Sequence, residues 1–338
     1  MTQDLLFIER LSKVMEEHFD HVLTSSHDIA VAVSGGADSL GLCIALSEYL
    51  KMAKPKVTIH ALSVDHALRP ESRGELFHVA GVLADIPNIT HHILTWEHEE
   101  KPTSRIQEKA RKARYDLMIG YMRTHNISNL FFGHHLDDQA ETFLFRLAKG
   151  SGLDGLGAMA SCHEKEEGIN ICRPLLEVGK ADIISFCNNN GIEFINDPSN
   201  ENDDYARVRL RKSMEVLSAE GLTTKRLSVT AKRLSRAREA LDYITDKEYN
   251  SALLHKDEGR IVFNFKMFSE NPFEVVLRVL LRAMAELSPD RNYSARLERV
   301  ESLCCDLLKP SAFRKRTLGG VIFEVSTKND EISLTKEF

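Results

Sequence analysis

The sequence predicts an α/β chain: a doubly wound parallel sheet followed by a smaller, mostly helical domain that ends in a β-hairpin. Three observations carry that prediction. Apolar runs of strand type alternate with helical stretches through the first part of the chain, the order of βαβ units. The junctions after those runs hold glycines, acids and histidines, as the ligand-binding carboxyl ends of parallel strands do. From about Leu210 the periodicity is helical almost to Leu287, and the tail RKRTLGGVIFEVSTKNDEISLTKEF reads as two short strands around the Lys328-Asn329-Asp330 turn. This periodicity divides the chain into residues 1–212 and 213–338.

In IAVAV, Ile29, Val31 and Val33 alternate with small alanines, the pattern of a strand buried on both faces. Helical spacing takes over at Leu40, Cys43, Leu46 and Leu50, so Gly35 and Gly36 stand at a strand-to-helix junction. In KVTIHALSVDH, Val57, Ile59 and Ala61 predict a second strand ending near Asp65 and His66, and NITHHILTW is the third. Ile106, Ala110, Ala113, Leu117 and Tyr121 then share one face of a long helix. NLFFGHH is a fourth strand, and DDQAETFLFRLAKG a helix with Phe143, Leu144 and Leu147 on its apolar side. The Gly-rich GSGLDGLGAM reads as an ordered loop or a flexible lid. RPLLEVGKADIISFCNNNGIEF gives one more helix, with Ile183, Ile184 and Cys187 inward and Gly191 as its stop signal.

Composition narrows the function classes. With 43% hydrophobic and 28% charged residues in 338, the chain has an ordinary globular balance. No apolar stretch reaches membrane-spanning length, and MTQDLLFIERLSK is acidic where a signal peptide is basic, so the expected compartment is the cytoplasm, with no membrane partner. The six cysteines contain no CxxC pair, against a zinc ribbon, a cysteine-held iron–sulfur cluster or a disulfide scaffold. A net charge of −6 argues against a uniformly basic nucleic-acid binder. Locally, Arg207 to Arg238 gathers Arg207, Arg209, Arg211, Lys212, Lys225, Arg226, Lys232, Arg233, Arg236 and Arg238, a phosphate-tracking surface or a solvated helix face.

At the first junction, missing side chains let backbone N–H groups and a helix N-terminus approach an anion. A tight turn with Ser34 or Ser39 as a helix cap is the plainer alternative. The GK[ST] pair of a Walker loop is absent. Arg111 and Arg114, three apart on one helix, can present two guanidinium groups to phosphate. Asp138 and Glu141 share a face in a first helical turn, where acids also offset the macrodipole. His134 and His135 follow a strand end, and core packing accounts for one of them as readily as chemistry does.

SGGADS resembles the SGGxDS pattern of the PP-loop N-type ATP pyrophosphatases, which cleave ATP between the α and β phosphates and place AMP on a substrate oxygen. GHHLDDQAET with the Gly-rich loop behind it resembles the signature of the tRNA(Ile)-lysidine synthetase family. The likeness continues through VDHALRPESRGE, EKARKARYDLM, RPLLEVGK and NDPSNENDDYARVRLR, in the family's order, over roughly the first two thirds of the chain. One departure is Val208, where the family usually has an asparagine between two arginines, and this bears on Arg207. The resemblance also leads one to expect no counterpart here of the extra C-terminal domain that longer relatives have, since the sequence runs only a little beyond its hairpin.

The resemblance implies a Rossmann-like PP-loop catalytic domain at 1–212 and a tRNA-binding domain at 213–338. It implies ATP and Mg2+, free L-lysine, and tRNA(Ile) with a CAU anticodon: the C2 oxygen of the wobble cytidine is adenylated, then the ε-amine of lysine displaces AMP. Carried residue by residue, ATP would meet Ser34, Gly35, Gly36, Ala37, Asp38, Ser39, Asp65, His66, Arg111, Gly133 and His134, with Asp38 holding the metal. Asp138, Glu141 and Arg207 would bind lysine, and Asp38, Arg114, Asp138 and Glu141 would carry the chemistry. A lysine amine with an ordinary pKa of about 10.4 is protonated near neutrality, so a carboxylate pair suits both binding and deprotonation. For RNA the expected contacts are Lys225, Arg226, Lys232 and Arg233. The rivals are a sulfur-inserting PP-loop tRNA enzyme and a nucleotide-binding sensor, and the sequence leaves a homodimer open.

Overall fold

The computed structural model describes residues 3–24, 28–67, 72–98, 104–195, 206–288, 297–307, 313 and 315–337. It divides into two units, Met1–Ser235 and Arg236–Phe338. The first opens with helices α1 (Gln3–His18) and α2 (Asp20–Thr24), neither of which the sequence pattern singles out. There follow β1 (Asp28–Ala32), α3 (Ala37–Ala53), β2 (Thr58–Asp65), α4 (Ser72–Leu83), β3 (Ile89–Thr95), α5 (Ile106–Thr124), β4 (Asn129–Phe131) and α6 (Leu136–Ala148). The short α7 (Leu153–Leu156), β5 (Cys162–Glu166), β6 (Ile169–Cys172), α8 (Lys180–Asn189) and α9 (Ala206–Ala219) complete the unit's own elements.

The strands form one sheet in the order β3-β2-β1-β4-β6-β5, parallel except for the antiparallel edge strand β5. The expected double winding follows from β1. Its Ile29 and Val31, with Val33 just beyond, enter a core shared with α1, α3 and α8, while Ala30 and Ala32 face Leu62, Met118, Ile119 and Met122 on the other side. Burying a Val or Ile side chain is worth about 1.5–3 kcal/mol. With both faces filled, a one-residue slip of β1 would misplace every one of them. Chain order runs outward from β1 to β3 on one side and from β4 to β6 on the other, so the topological switch lies between β1 and β4. Ligands of such sheets bind outside the carboxyl ends of the strands there.

Helix α5 buries Met118, Ile119 and Met122, whereas Ile106 is 43% exposed. The expected stripe through Ile106, Ala110, Ala113 and Leu117 is therefore not the face that packs on the sheet: the buried residues lie on the other side of the helix, and of the expected five only Tyr121 packs against their core. The Gly-rich stretch is an ordered loop: Arg146 Nη1 donates to Gly155 O at 2.7 Å and to Ala158 O at 2.8 Å, and the Gln139 amide pairs in both directions with the Met159 backbone.

The boundary expected at 212/213 falls inside α9. Leu210, Met214 and Leu217 of that helix gather with Leu227, Ala231 and Leu234 around Ala140, Phe143 and Leu144 of α6. These turns therefore belong to the first unit, and the division at 235/236 lies within α10 (Thr224–Ala252).

The second unit continues with β7 (Leu253–Lys256), β8 (Arg260–Asn264), α11 (Lys266–Glu270), α12 (Phe273–Leu287), α13 (Leu297–Leu307), β9 (Arg316–Leu318), β10 (Val321–Ser326) and β11 (Glu331–Lys336). The expected terminal hairpin is β10 and β11, paired from Val321↔Lys336 to Ser326↔Glu331. It is part of a larger antiparallel sheet, β7-β8-β11-β10-β9, so the helical run expected almost to Leu287 is interrupted at Leu253–Asn264. Ile261, Phe263, Phe323, Ile332 and Leu334 of this sheet share a core with Val276 and Leu280 of α12 and Leu303 of α13. Among the described residues no helix is long and apolar enough to cross a membrane.

Candidate active site

The first and fourth strand ends are locked together by one glycine. A Cβ on Gly133 would lie 2.4 Å from the Asp38 carbonyl oxygen and 2.7 Å from its carbon, so no larger residue fits. The segment after β4 thereby presses on the first turn of α3 and brings GHHLDD beside SGGADS. Gly35, at φ +89°, adopts a left-handed conformation that favours glycine. Within the loop the Ser34 N–H donates to Ser39 Oγ at 3.1 Å, the two hydroxyls are 3.2 Å apart, and Ser39 Oγ donates to Gly36 O at 3.0 Å. Gly36 is the N-cap of α3 and Ala37 its first residue, and no side chain caps the helix. The plain capping role is therefore not what the serines do; they shape the loop and leave the helix N-terminus free for an anion.

Asp38 points into this edge. Its Oδ2 lies 3.3 Å from Lys180 Nζ and 3.6 Å from His135 Nε2, whereas its Oδ1 is buried without a hydrogen-bond partner among the described residues. Burial would raise the Asp38 pKa, but the His135 and Lys180 cations outweigh it and hold the carboxyl below its ordinary value. His135 is 2% exposed and also meets Asp138 Oδ2 and Asp137 Oδ2, each at 3.5 Å. Burial works against its charge, and the Asp137, Asp38 and Asp138 carboxylates overcome that to push the imidazole up to about 9. At 3.5 Å its Nδ1 makes an ion pair with Asp137, and no well-formed hydrogen bond meets that atom. Asp137 Oδ2 accepts the Lys180 backbone N–H at 2.9 Å, tying the start of α8 to the start of α6.

The pair Asp138 and Glu141 is separated by its partners. Asp138 Oδ2 accepts the His135 backbone N–H at 3.0 Å. Glu141, 4% exposed, accepts Arg211 Nε at 2.7 Å, so Arg211 of the basic run serves a buried carboxylate. Arg207 lies in α9 with its side chain outside the described residues.

On the α5 side, Arg114 is half-buried, its Nε is shut off from solvent with no acceptor among the described residues, and its guanidinium lies 5.8 Å from the Tyr115 and Phe132 ring centroids. A buried charged donor left unmet costs more than the roughly 1–3 kcal/mol of a neutral one, so an anion there recovers energy on binding. Arg111 is exposed, with its guanidinium 5.2 Å from the Tyr115 ring centroid. Arg173, 7% exposed, donates from Nε to His134 Nδ1 at 3.3 Å and from Nη1 to Ala160 O at 3.0 Å. Asp65 accepts the Ala67 N–H and the Ser72 hydroxyl, each at 2.9 Å, and so shapes the turn after β2. His66 stands edge-on to Trp96; burial, then the Arg114 charge, lowers its pKa.

Lys225, Arg226, Lys232 and Arg233 share one exposed face of α10, opposite the buried Leu227 and Ala231. Lys232 is paired with Glu177, and Arg226 Nη1 donates to Gly221 O at 3.0 Å. Sequence reasoning assigns no site role to Lys180, Arg173 or Arg211. The first two lie inside RPLLEVGK or at its start and the third inside the basic run, but nothing local tells which long cation turns inward.

No cluster of His, Cys, Asp and Glu among the described residues could hold a metal ion by itself. Mg2+ needs only one or two carboxylates when substrate phosphates complete its shell, and the orphaned Asp38 Oδ1 fits that requirement.

A parallel sheet with a glycine loop, a half-buried acid with one unmet oxygen and an arginine with an unmet Nε at its switch point defines a PP-loop nucleotide-binding protein. The family profile of the PP-loop domain matches residues 5–217. A tRNA(Ile)-lysidine synthase of Methylobacterium sp. (strain 4-46) is 38% identical over 305 residues, 88% of this chain and 86% of that protein. One of Methylobacterium nodulans is 37% identical over 91% of this chain and 90% of its own, and one of Wolbachia pipientis wMel 34% identical over 90% and 71%. Among solved structures, the U34-tRNA thiolase of Methanococcus maripaludis superposes with a TM-score of 0.57 at 16% identity, over 68% of this chain and 79% of that one, a likeness of fold. The chain belongs to the tRNA(Ile)-lysidine synthase family of PP-loop proteins.

Proposed function

We propose that this chain is an ATP-dependent ligase that joins lysine to C2 of the wobble cytidine of tRNA(Ile) bearing a CAU anticodon. Family membership supports the reaction class. The observation that carries the reading at residue level is the meeting of SGGADS and GHHLDD across Gly133, with Asp38 Oδ1 and Arg114 Nε both buried and unmet.

The loop amides between Ser34 and Ser39, whose own N–H groups are bonded within the loop, and the free N-terminus of α3 bind the phosphates of ATP. Asp38 holds Mg2+, which when bound offsets charge on the leaving pyrophosphate. Arg114 supplies a preorganised cation for charge that grows on the reacting phosphoryl group. The cytidine O2 attacks the α-phosphorus: an O–P bond forms there and the bond to pyrophosphate breaks. Lysine then attacks C2 through its neutral ε-nitrogen, the C2–O bond breaks, and AMP leaves. Asp138 and Glu141 bind the lysine ammonium, and one of them takes its proton. Arg211 orients the buried Glu141 for that role through its guanidinium. RNA is held by the exposed face of α10 that carries Lys225, Arg226, Lys232 and Arg233.

Incubation with ATP, labelled lysine and tRNA tests the reading. Label should enter RNA with stoichiometric pyrophosphate release, and the Asp38→Asn variant should lose both. Pyrophosphate release without label in RNA would remove lysine from the reaction.

A further inference from the structure

Cys162 and Cys172 lie outside the roles described above and face each other across β5 and β6 as register partners. The Arg173 N–H donates to Ser161 O at 2.7 Å, a bond that flanks the pair and makes it a non-hydrogen-bonded position of the antiparallel ladder. Such pairs have Cα atoms about 4.5 Å apart, inside the roughly 4.4–6.8 Å that a disulfide spans. The two Sγ atoms are 3.7 Å apart, so side-chain rotation with slight closure of the strands joins them. β5 is the edge strand, and Cys162 is half-buried there while Cys172 is fully buried. A small oxidant therefore reaches one sulfur of the pair and not the other.

We propose that Cys162 and Cys172 are a redox-modification site that closes to a reversible disulfide across β5 and β6. The oxidant is a peroxide. The Cys162 thiolate attacks one oxygen of hydrogen peroxide, giving a sulfenic acid and hydroxide, which takes up the proton that Cys162 had shed. The Cys172 sulfur then attacks the Cys162 sulfur, the S–OH bond breaks, and the hydroxyl leaves as water with the Cys172 proton. Two thiols and one peroxide give one disulfide and two waters, and a dithiol reductant reverses the change.

The surroundings favour this order of events. The hydrogen bond from Cys172 lowers the Cys162 thiol against the effect of burial, and the Arg173 guanidinium adds to that, while Cys172 is raised. Cys43, Cys187 and Cys304 are buried, which pushes their thiols up to about 12, 11 and 12 and keeps them from the first attack on peroxide, whereas Cys172, also raised, acts second on a sulfur 3.7 Å away. The exposed Cys305 belongs to the other unit and serves as an internal control. Once formed, the bond ties Ser161 and Ala160 to the strand end that carries Arg173. This inference does not depend on the proposed reaction.

The test is to oxidise the reduced, native full-length chain with a few equivalents of hydrogen peroxide, block remaining thiols, and map peptides without reduction. The expected product is a peptide linking Cys162 to Cys172, with an intact mass lower by two hydrogens, restored by dithiothreitol. Cys162→Ser should leave Cys172 unmodified in the folded protein, and Cys172→Ala should let Cys162 proceed to sulfinic acid. Circular dichroism melting of both variants confirms that they fold. Recovery of both cysteines alkylated, oxidation of Cys162 to sulfinic acid in the unsubstituted chain, or a link formed only after denaturation would overturn the proposal.

Discussion

Lys180 Nζ stands 3.3 Å from Asp38 Oδ2, so the acid inside the glycine loop is balanced by a cation from a residue 142 positions further along the chain. The pairing keeps Asp38 ionised in a half-buried setting and leaves its other oxygen without a partner among the described residues, as the proposed metal role requires. Lys180→Met should therefore raise the Asp38 pKa and lower the rate of pyrophosphate release by about tenfold, the worth of one charge-assisted contact of roughly 1.5 kcal/mol. Steady-state kinetics at saturating tRNA and lysine measure it. An unchanged rate would make Lys180 a bystander on the rim.

Gly133→Ala should be destabilising, because its Cβ would meet the Asp38 backbone at 2.4 Å, and a backbone cannot swing aside as a side chain does. Overpacking of this kind costs about 1–3 kcal/mol. Thermal melting should fall by several degrees, and ATP affinity should fall with it since the two strand ends separate. A normal melting temperature with normal ATP binding would show that the α3 start and the segment after β4 need not touch.

What the sequence disclosed, and what it hid, follows from the range of the forces involved. The pattern of β1 was legible because both its faces are buried, so Ile29, Val31 and the alanines between them record the sheet directly. The switch point was legible too, since glycine is the residue that such close approach demands. β7 and β8 were not: LLHK and RIVFN are short runs that pair with each other locally, and their place in the sheet comes from the distant pairing of β8 with β11. The apolar face of α5 reads through Ile106, Ala110, Ala113 and Leu117 in the sequence, whereas Met118, Ile119 and Met122 on another face meet the sheet; the helix has apolar residues on both sides, and periodicity alone does not choose between them. In the site, the motif residues stood out, whereas Lys180, Arg173 and Arg211 owe their positions to tertiary packing.

Asp138→Asn keeps an oxygen for the His135 N–H and removes a charge, and Glu141→Gln does the same opposite Arg211. Each should raise the KM for lysine by about tenfold or more while leaving the KM for ATP near normal, since each deletes a partner of the ammonium. Loss of ATP affinity in both variants would assign the pair to the metal instead.

The α10 face predicts a salt effect. Changing Lys225, Arg226, Lys232 and Arg233 to Ser should weaken binding of cognate and non-cognate tRNA alike. The log–log salt slope should flatten by at most about 0.7–0.9 for each phosphate that is no longer neutralised. Lys232, already paired with Glu177, should account for the smallest share when changed singly. Affinities across a salt series check this; parallel lines for the quadruple variant and the unaltered chain would make the face a solvated one.

The most direct measurement is the identity of the wobble nucleoside after reaction. Unmodified tRNA(Ile) with a CAU anticodon is incubated with the chain, ATP, Mg2+ and isotopically labelled lysine, digested to nucleosides, and resolved by mass spectrometry. The account predicts lysidine at the wobble position, carrying the lysine label, and none with Asp38→Asn. A wobble cytidine left unmodified while ATP is consumed, or one modified without the lysine label, would contradict it.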